Sequence, residues 1–452
     1  MNFKSVNPYT GETIATYKEH TEEEINEKLT QSDAAFRSWR EISIPERSRM
    51  MNKAADVLIE NLDSFAGTIT EEMGKPIGES KAEIKKCAWV CEYYAENAER
   101  FLADELIKTD ASESFISFDP IGCVFAIMPW NYPFWQVFRF AAPALMAGNT
   151  AVLKHASNVT GCALHIEQVF SEAGFPVNTF QSLIMHHDKT EQVISHDAVK
   201  AVTLTGSEKA GVSVARIAGK NLKKTVLELG GSNAFIVAED ADMEKAVQTA
   251  VKARMQNSGQ SCIAAKRFIL AGNAGRTFLP GFIDAAKALK AGDPMDESTE
   301  IGPLARKDLA ENLHKQSKNS IEKGAEVLLG GNYKDAFHEP TILGNVIPGM
   351  PAFDEETFGP LAAITTAENL DEAFELAARS KFGLGVTLFT RDIENGRKYT
   401  HKVPDGAFFI NELVKSDPRL PFGGTKQSGY GRELSREGIR EFVNKKTVYV
   451  AE

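Results

Sequence analysis

From residue 121 onward the chain alternates short apolar runs with stretches of helical period. The runs 122–128, 150–153, 199–204 and 225–229 are mainly Val, Leu, Ile, Phe, Ala and Thr. That length and chemistry suit buried strands. Between them, 161–173 and 209–218 carry apolar residues at helical spacing. Strands alternating with helices of this length predict βαβ units and a parallel sheet covered on both faces. A second series follows at 267–270, 325–329, 361–365, 386–389 and 407–410, and predicts a second α/β unit. Upstream the pattern is helical. Thr21-x-x-Glu24 has the form of a capping box, and a long helical region runs from Pro45 towards Gly74. Two polar, β-prone stretches, 109–119 and 446–450, fit neither unit. They are expected to pair as edge strands, within the chain or across a subunit boundary.

A length of 452 residues exceeds one core, so two or three domains are expected. There is no repeat, low-complexity tract or Pro/Ser-rich linker, so the domains join through short turns. The net charge of −11 argues against a general binder of nucleic acid or anionic membrane, which needs a basic face. No run approaches the roughly 18 apolar residues of a membrane helix, and residues 1–10 lack the basic-then-apolar order of a signal peptide. Five cysteines at wide spacing (Cys87, Cys91, Cys123, Cys162 and Cys262) form no disulfide framework. Cys87 and Cys91 could share a helix face, but no His or second Cys pair completes a metal site. These features lead to an expectation of a cytoplasmic protein with no metal.

Four short segments carry candidate chemistry, each with a plain alternative. Gly259-Gln260-Ser261-Cys262 places a thiol after a glycine turn that can present it, although an isolated cysteine is usually inert and buried. Glu228-Leu229-Gly230-Gly231 ends an apolar run with a carboxylate, either facing a ligand at a strand end or salt-bridged there. In Pro129-Trp130-Asn131-Tyr132-Pro133 an amide could donate to a developing oxyanion, or the turn could simply fill a core. Thr205-Gly206-Ser207 closes a run just before a helix. There a glycine admits a phosphate to free N–H donors, or serves only the turn.

In combination, with Glu355-Glu356-Thr357-Phe358-Gly359-Pro360 and Pro421-Phe422-Gly423-Gly424 following in order, the chain resembles the aldehyde dehydrogenase superfamily from about Val6 to Val450. The resemblance implies two parallel-sheet α/β domains plus a small β extension. Residues 1–101 and 120–230 would bind cofactor, 231–429 would be catalytic, and 102–119 with 430–452 would be oligomerisation strands of a homodimer or homotetramer. It further implies that Cys262 attacks an aldehyde, Asn131 holds the oxyanion and Glu228 activates the water that releases the acid. Lys154, Gly206, Ser207, Trp130, Glu356 and Phe358 correspond to cofactor contacts. Ser157 stands where NAD-selective members often carry a glutamate, so NADP is tolerated and NAD is not excluded. Ala264 replaces a second cysteine, so no disulfide switch is expected.

Leu153-Lys154-His155-Ala156, Trp135-Gln136-Val137, Gln256-Asn257 and Ser416-Asp417 resemble short bacterial succinate-semialdehyde dehydrogenases. In those enzymes an arginine at the position of Arg139 binds the remote carboxylate, as a guanidinium fork can. An ion-paired structural Arg139 is the alternative. Gln256 stands where many such enzymes have a second arginine. Ser416 and Arg419 are expected as further substrate contacts, and His155 as a packing residue. Glutarate semialdehyde or a simple aliphatic aldehyde are the alternative substrates. An esterase or a non-catalytic binding protein on the same fold would be a different class.

Overall fold

The first apolar series forms a six-stranded sheet in the computed structural model, which describes residues 2–451. Its order is Gly429–Tyr430, Lys224–Glu228, Val199–Thr205, Cys123–Met128, Thr150–His155 and Phe180–Ser182. All neighbours run parallel except Gly429–Tyr430, which returns antiparallel along Lys224–Glu228. The connections leave Cys123–Met128 in opposite directions across the sheet. The crevice beyond the carboxyl ends of Cys123–Met128 and Val199–Thr205 is therefore a topological switch point, where open α/β sheets bind ligands. Asn131 follows the first of these strands, and Gly206 and Ser207 follow the second.

The second series forms a seven-stranded sheet, with Ala265–Ala271 near its centre. One hairpin-like pair, Glu326–Leu329 with Thr341–Gly344, is antiparallel, and the rest are parallel. Two of its strands were not anticipated. Asn233–Val237 is wholly buried and begins with only four residues between it and Glu228, which closes a strand of the other sheet. So abrupt a change of sheet leaves no turn long enough to mark it. Thr341–Gly344 is only four residues long.

The two polar stretches pair with each other inside the chain, as Val443–Val450 against Glu113–Pro120, with Glu105–Leu106 on the far side. The N-terminal hairpin Asn2–Val6 with Thr13–Lys18 was not foreseen. The Thr21 capping box is present: the Glu24 N–H donates to Thr21 Oγ1 (3.2 Å) and the Thr21 N–H to Glu24 Oε2 (2.7 Å). The expected single helix after Pro45 is two, Ile44–Glu60 and Leu62–Met73, broken at Asn61, whose φ of −105° lies outside the helical well. Gly74 ends the second at φ 77°, the left-handed conformation that favours glycine. The next helix, Ile77–Leu102, buries Cys87 and Cys91.

Candidate active site

The loop that delivers Cys262 is held in an unfavourable shape by many bonds. Asn257 (φ 54°, ψ 38°) and Ser258 (φ 50°, ψ 33°) are both left-handed, a conformation costing of order 1–3 kcal/mol per residue. The Asn257 N–H donates to Glu79 Oε2 (2.7 Å) and its side-chain amide to the Asn131 carbonyl (2.8 Å). Ser258 Oγ donates to the Gly302 carbonyl (2.9 Å), and Arg254 Nη2 to that of Gly259 (2.6 Å). Gly259 itself has φ 74°, and a Cβ there would lie 2.4 Å from the Gly359 backbone. Lys266 Nζ then ties down the carbonyls of Ser261 (3.0 Å) and Cys262 (2.8 Å). The glycine turn read from the sequence is thus the last step of a wider strained bend.

Cys262 is the one partly exposed cysteine; the other four are fully buried. Burial pushes its thiol up to about 11, against the opposing pull of Arg139 and Lys266. The sulfur therefore rests protonated at neutral pH and must lose its proton to attack. Alkylation by iodoacetamide in the cofactor-free protein should accelerate about tenfold per pH unit from 7 to 10, because the thiolate fraction rises so below the pKa. Peptide mapping that finds a pH-independent rate at Cys262 would contradict that environment.

The Asn131 amide is fixed in orientation. Its Nδ2 donates one proton to the Gln260 carbonyl (2.9 Å), and its Oδ1 accepts from Gln136 Nε2 (3.1 Å), which fixes the amide orientation. One Nδ2 proton remains. The backbone N–H of Cys262 makes no hydrogen bond among the described residues. Asn131 and Cys262 line the same cavity, so both unused donors belong to residues that border it.

Glu228 sits apart from that group. It is 2% exposed at the end of Lys224–Glu228, and neither carboxyl oxygen has a hydrogen-bond partner among the described residues. Burial, with Glu433 adding to it, drives its pKa well above the carboxylate range despite Arg139 and Arg432. The salt-bridged alternative fails, because no cation lies within ion-pair distance of it among the described residues. A Cβ on Gly423 would come 2.7 Å from Glu228 Oε1, so the first glycine of Pro421-Phe422-Gly423-Gly424 makes room for this side chain.

On one side of the sulfur a cavity of about 180 Å³ is lined by Trp130, Gly206, Ser207, Glu356, Phe358 and Cys262. Trp130 and Phe358 meet edge to face with centroids 5.7 Å apart. Ser207 caps the helix Glu208–Lys220, accepting from the Ala210 N–H (3.3 Å), so the first helical turn faces this crevice. Glu356 is held by Lys266 (3.1 Å) and by the Gly231 N–H (3.0 Å). Lys154, next to last in Thr150–His155, has no carboxylate partner among the described residues, and Ser157 follows, exposed, in a short 3-10 turn. A helix N-terminus, a lysine without a carboxylate partner and an edge-to-face aromatic pair fit a dinucleotide. His155 is neutral, its pKa pushed down to about 4 by burial. Its Nδ1 accepts from the Ala156 N–H (2.9 Å), so Nε2–H donates to the Pro133 carbonyl (2.8 Å). Both nitrogens are engaged in packing.

The sequence model of the aldehyde dehydrogenase family matches residues 1–448. The chain belongs to the aldehyde dehydrogenase family. It is 49% identical over 454 residues to a probable NADP(+) succinate-semialdehyde dehydrogenase of Synechocystis sp., with both chains fully covered. To NADP(+) succinate-semialdehyde dehydrogenase 1 of Mycobacterium bovis it is 46% identical over 457 residues, again with full coverage. Among solved structures, succinic semialdehyde dehydrogenase from Streptococcus pyogenes with NADP+ superposes with a TM-score of 0.97 at 36% identity, with each chain wholly covered.

This family member has a second cavity, of about 270 Å³, which Cys262 also lines. Arg139, Gln256 and Ser416 all line it. Arg139 is far from free: its Nε is ion-paired with buried Glu433, and Nη2 donates to Thr205 Oγ1 (3.3 Å). Its guanidinium also lies 4.4 Å from the Phe422 ring centroid. The ion-paired alternative describes much of its surroundings. Arg419 does not line the cavity. It forks onto Asp417 (2.8 and 2.7 Å) at the surface.

The sequence reading missed the wall supplied by Ile77–Leu102. Glu79, Glu83 and Lys86 lie along the cavity at i, i+4 and i+7, one helical stripe. Glu83 Oε1 accepts from the N–H groups of Phe134 and Trp135 (both 2.9 Å), capping the helix Trp135–Met146 from outside, and is ion-paired with Lys75. Charged residues at helical spacing within an otherwise buried stretch were the available signal.

Proposed function

We propose that this protein oxidises succinate semialdehyde, or a similar ω-carboxylated aldehyde, to the acid with NADP, and with NAD as an alternative. The observation that carries this reading is the position of Cys262, which lines both the cofactor-side cavity and the polar cavity holding Ser416, Gln256 and Arg139. An aldehyde entering the second cavity reaches a sulfur that borders the first. The names of the relatives support the same reading.

Attack by the Cys262 thiolate on the aldehyde carbon forms a thiohemiacetal, whose oxyanion the Asn131 amide and the Cys262 N–H receive. When bound, NADP supplies the acceptor for the hydride that converts this adduct to a thioester. Glu228, once deprotonated, takes a proton from water and directs it at the thioester, and a carboxylate with a raised pKa is the stronger base for that task. The acid leaves and Cys262 is regenerated. Lys154 and Ser157 would face the adenosine ribose, Gly206 and Ser207 the pyrophosphate, and Glu356, Phe358 and Trp130 the nicotinamide side.

The reading is tested by following reduced-cofactor absorbance with succinate semialdehyde, glutarate semialdehyde and butanal, each with NADP and NAD. Highest kcat/KM for succinate semialdehyde with NADP is expected; ester hydrolysis without any cofactor reduction would sink it. Ser157→Glu should shift preference towards NAD by about tenfold or more, since a carboxylate repels a 2′-phosphate by over 1 kcal/mol at contact. An unchanged NADP/NAD ratio would show that Ser157 does not face the ribose.

The assembly is read as a homodimer or homotetramer. Val443–Val450 is the outer strand of its sheet, with Tyr449 52% and Val450 43% exposed, and it offers an open edge to a second copy. Light scattering on the purified protein measures this directly. Five free cysteines, four of them buried, suit a reducing cytoplasm.

A further inference from the structure

We propose that Lys86, rather than Arg139 alone, supplies the positive charge that receives the remote carboxylate of the aldehyde. The inference deepens the reading that the substrate is ω-carboxylated, and rests on it.

Three observations converge on this residue. Charge comes first. Arg139 is matched by buried Glu433, and Lys415 at the cavity edge by Glu412 (3.0 Å). Lys86 and Lys252 line the same cavity, and neither has a carboxylate within ion-pair distance among the described residues; Lys252 is exposed to solvent, whereas Lys86 is half-buried. Glu83, one turn away, is committed to Lys75 and to the Phe134 and Trp135 N–H groups. The pocket therefore holds a cation with no internal counter-ion, and a buried or half-buried charge of that kind favours an anionic ligand.

Preorganisation is the second. Lys86 Nζ donates to Ser416 Oγ (2.9 Å) and sits 4.1 Å from the Trp135 ring centroid, a cation–π contact that fixes the ammonium without neutralising it. Trp135 is itself locked by Nε1–H donation to the same Ser416 Oγ (3.0 Å).

The third is the hydroxyl at the hub. Ser416 Oγ accepts from both Lys86 and Trp135, which uses both of its lone pairs. Its own proton is donated to no acceptor among the described residues, and is available to a carboxylate oxygen beside the ammonium. An ammonium and a hydroxyl side by side, with Gln256 on the same cavity wall, form a charge-assisted carboxylate site.

Burial, with Arg139 nearby, also pulls the Lys86 ammonium down to about 8, against the opposing influence of Cys87, Glu83 and Asp417. Glu79, Glu412, Lys252, Lys415 and Cys262 face the same space. Protonated Lys86 binds the carboxylate, so selectivity for a carboxylated aldehyde should fall as pH rises through 8. Comparing two aldehydes cancels the titration of Cys262, which serves both.

The test is kcat/KM for succinate semialdehyde and for butanal in wild type, Lys86→Gln and Lys86→Arg, from pH 7 to 9.5. Loss of a hydrogen-bonded charge pair should lower the succinate semialdehyde value in Lys86→Gln by about 10- to 100-fold, with butanal changed less than about threefold. Lys86→Arg should restore most of the preference and keep it at high pH, because guanidinium does not titrate there. Equal losses on both aldehydes in Lys86→Gln, with wild type still preferring succinate semialdehyde, would overturn the role of Lys86 alone, and so would no loss. A wild type that treats the two aldehydes alike would instead remove the substrate reading, and this inference with it.

Discussion

Cys262→Ala should lower turnover of succinate semialdehyde by at least about 10⁴-fold, as removal of a covalent nucleophile does in enzymes where such variants have been dissected. Nothing else in the site can take its place. Cys87, Cys91, Cys123 and Cys162 are fully buried, with thiols pushed up by burial, and none lines either cavity. The loop should keep its shape, because the bonds that hold it run through Asn257, Ser258, Gly259 and the Cys262 carbonyl rather than the sulfur. NADP affinity, measured by fluorescence or calorimetry, should therefore change by less than about threefold, since only one sulfur atom is removed from a preformed cavity. A variant that keeps more than a hundredth of the activity would show that the nucleophile is elsewhere.

Glu228→Gln should separate the two halves of the reaction. The amide fills the same space but cannot take a proton, so acylation proceeds and hydrolysis stalls. Pre-steady-state measurement should give a burst of reduced cofactor equal to the number of active sites, then a steady rate lowered by about 10²- to 10⁴-fold, the usual contribution of a general base. A lost burst would place Glu228 in the first half instead. The substitution also has a stability signature. Burial raises Glu228 above its ordinary 4.5, so the folded chain keeps a proton that the unfolded chain releases above that pH. That contribution is complete below 4.5 and erodes as pH rises towards the folded value. Glutamine has no such proton, so Tm of the variant relative to wild type should increase from pH 5 upward.

The sequence made most of the first sheet legible because four of its strands are isolated apolar runs, and the switch point then follows from strand order. Asn233–Val237 was hidden because only four residues separate it from Glu228 in the other sheet. Cys262 and Asn131 were legible from local motifs, since a turn that presents a thiol or an amide needs particular residues next to it. Their partners were not. Glu433 reaches Arg139 only because the chain returns to the first sheet at Gly429–Tyr430. Ser416 meets Lys86 across 330 residues of sequence. Distance along the chain hides charge pairing, so whether a cation is occupied or free is a property of the fold alone. That is why Arg139 stood out in the sequence, while Lys86 emerges only once Arg139 and Glu433 are seen together.

The central claim is that the aldehyde becomes covalently attached to Cys262 and is released by water through Glu228. Peptide mass spectrometry of Glu228→Gln, quenched in acid seconds after mixing with succinate semialdehyde and NADP, tests it most directly. The expected result is one succinyl group on the peptide bearing Cys262, absent without NADP and absent in Cys262→Ala. Cofactor reduction accompanied by an unmodified Cys262 peptide would contradict the account.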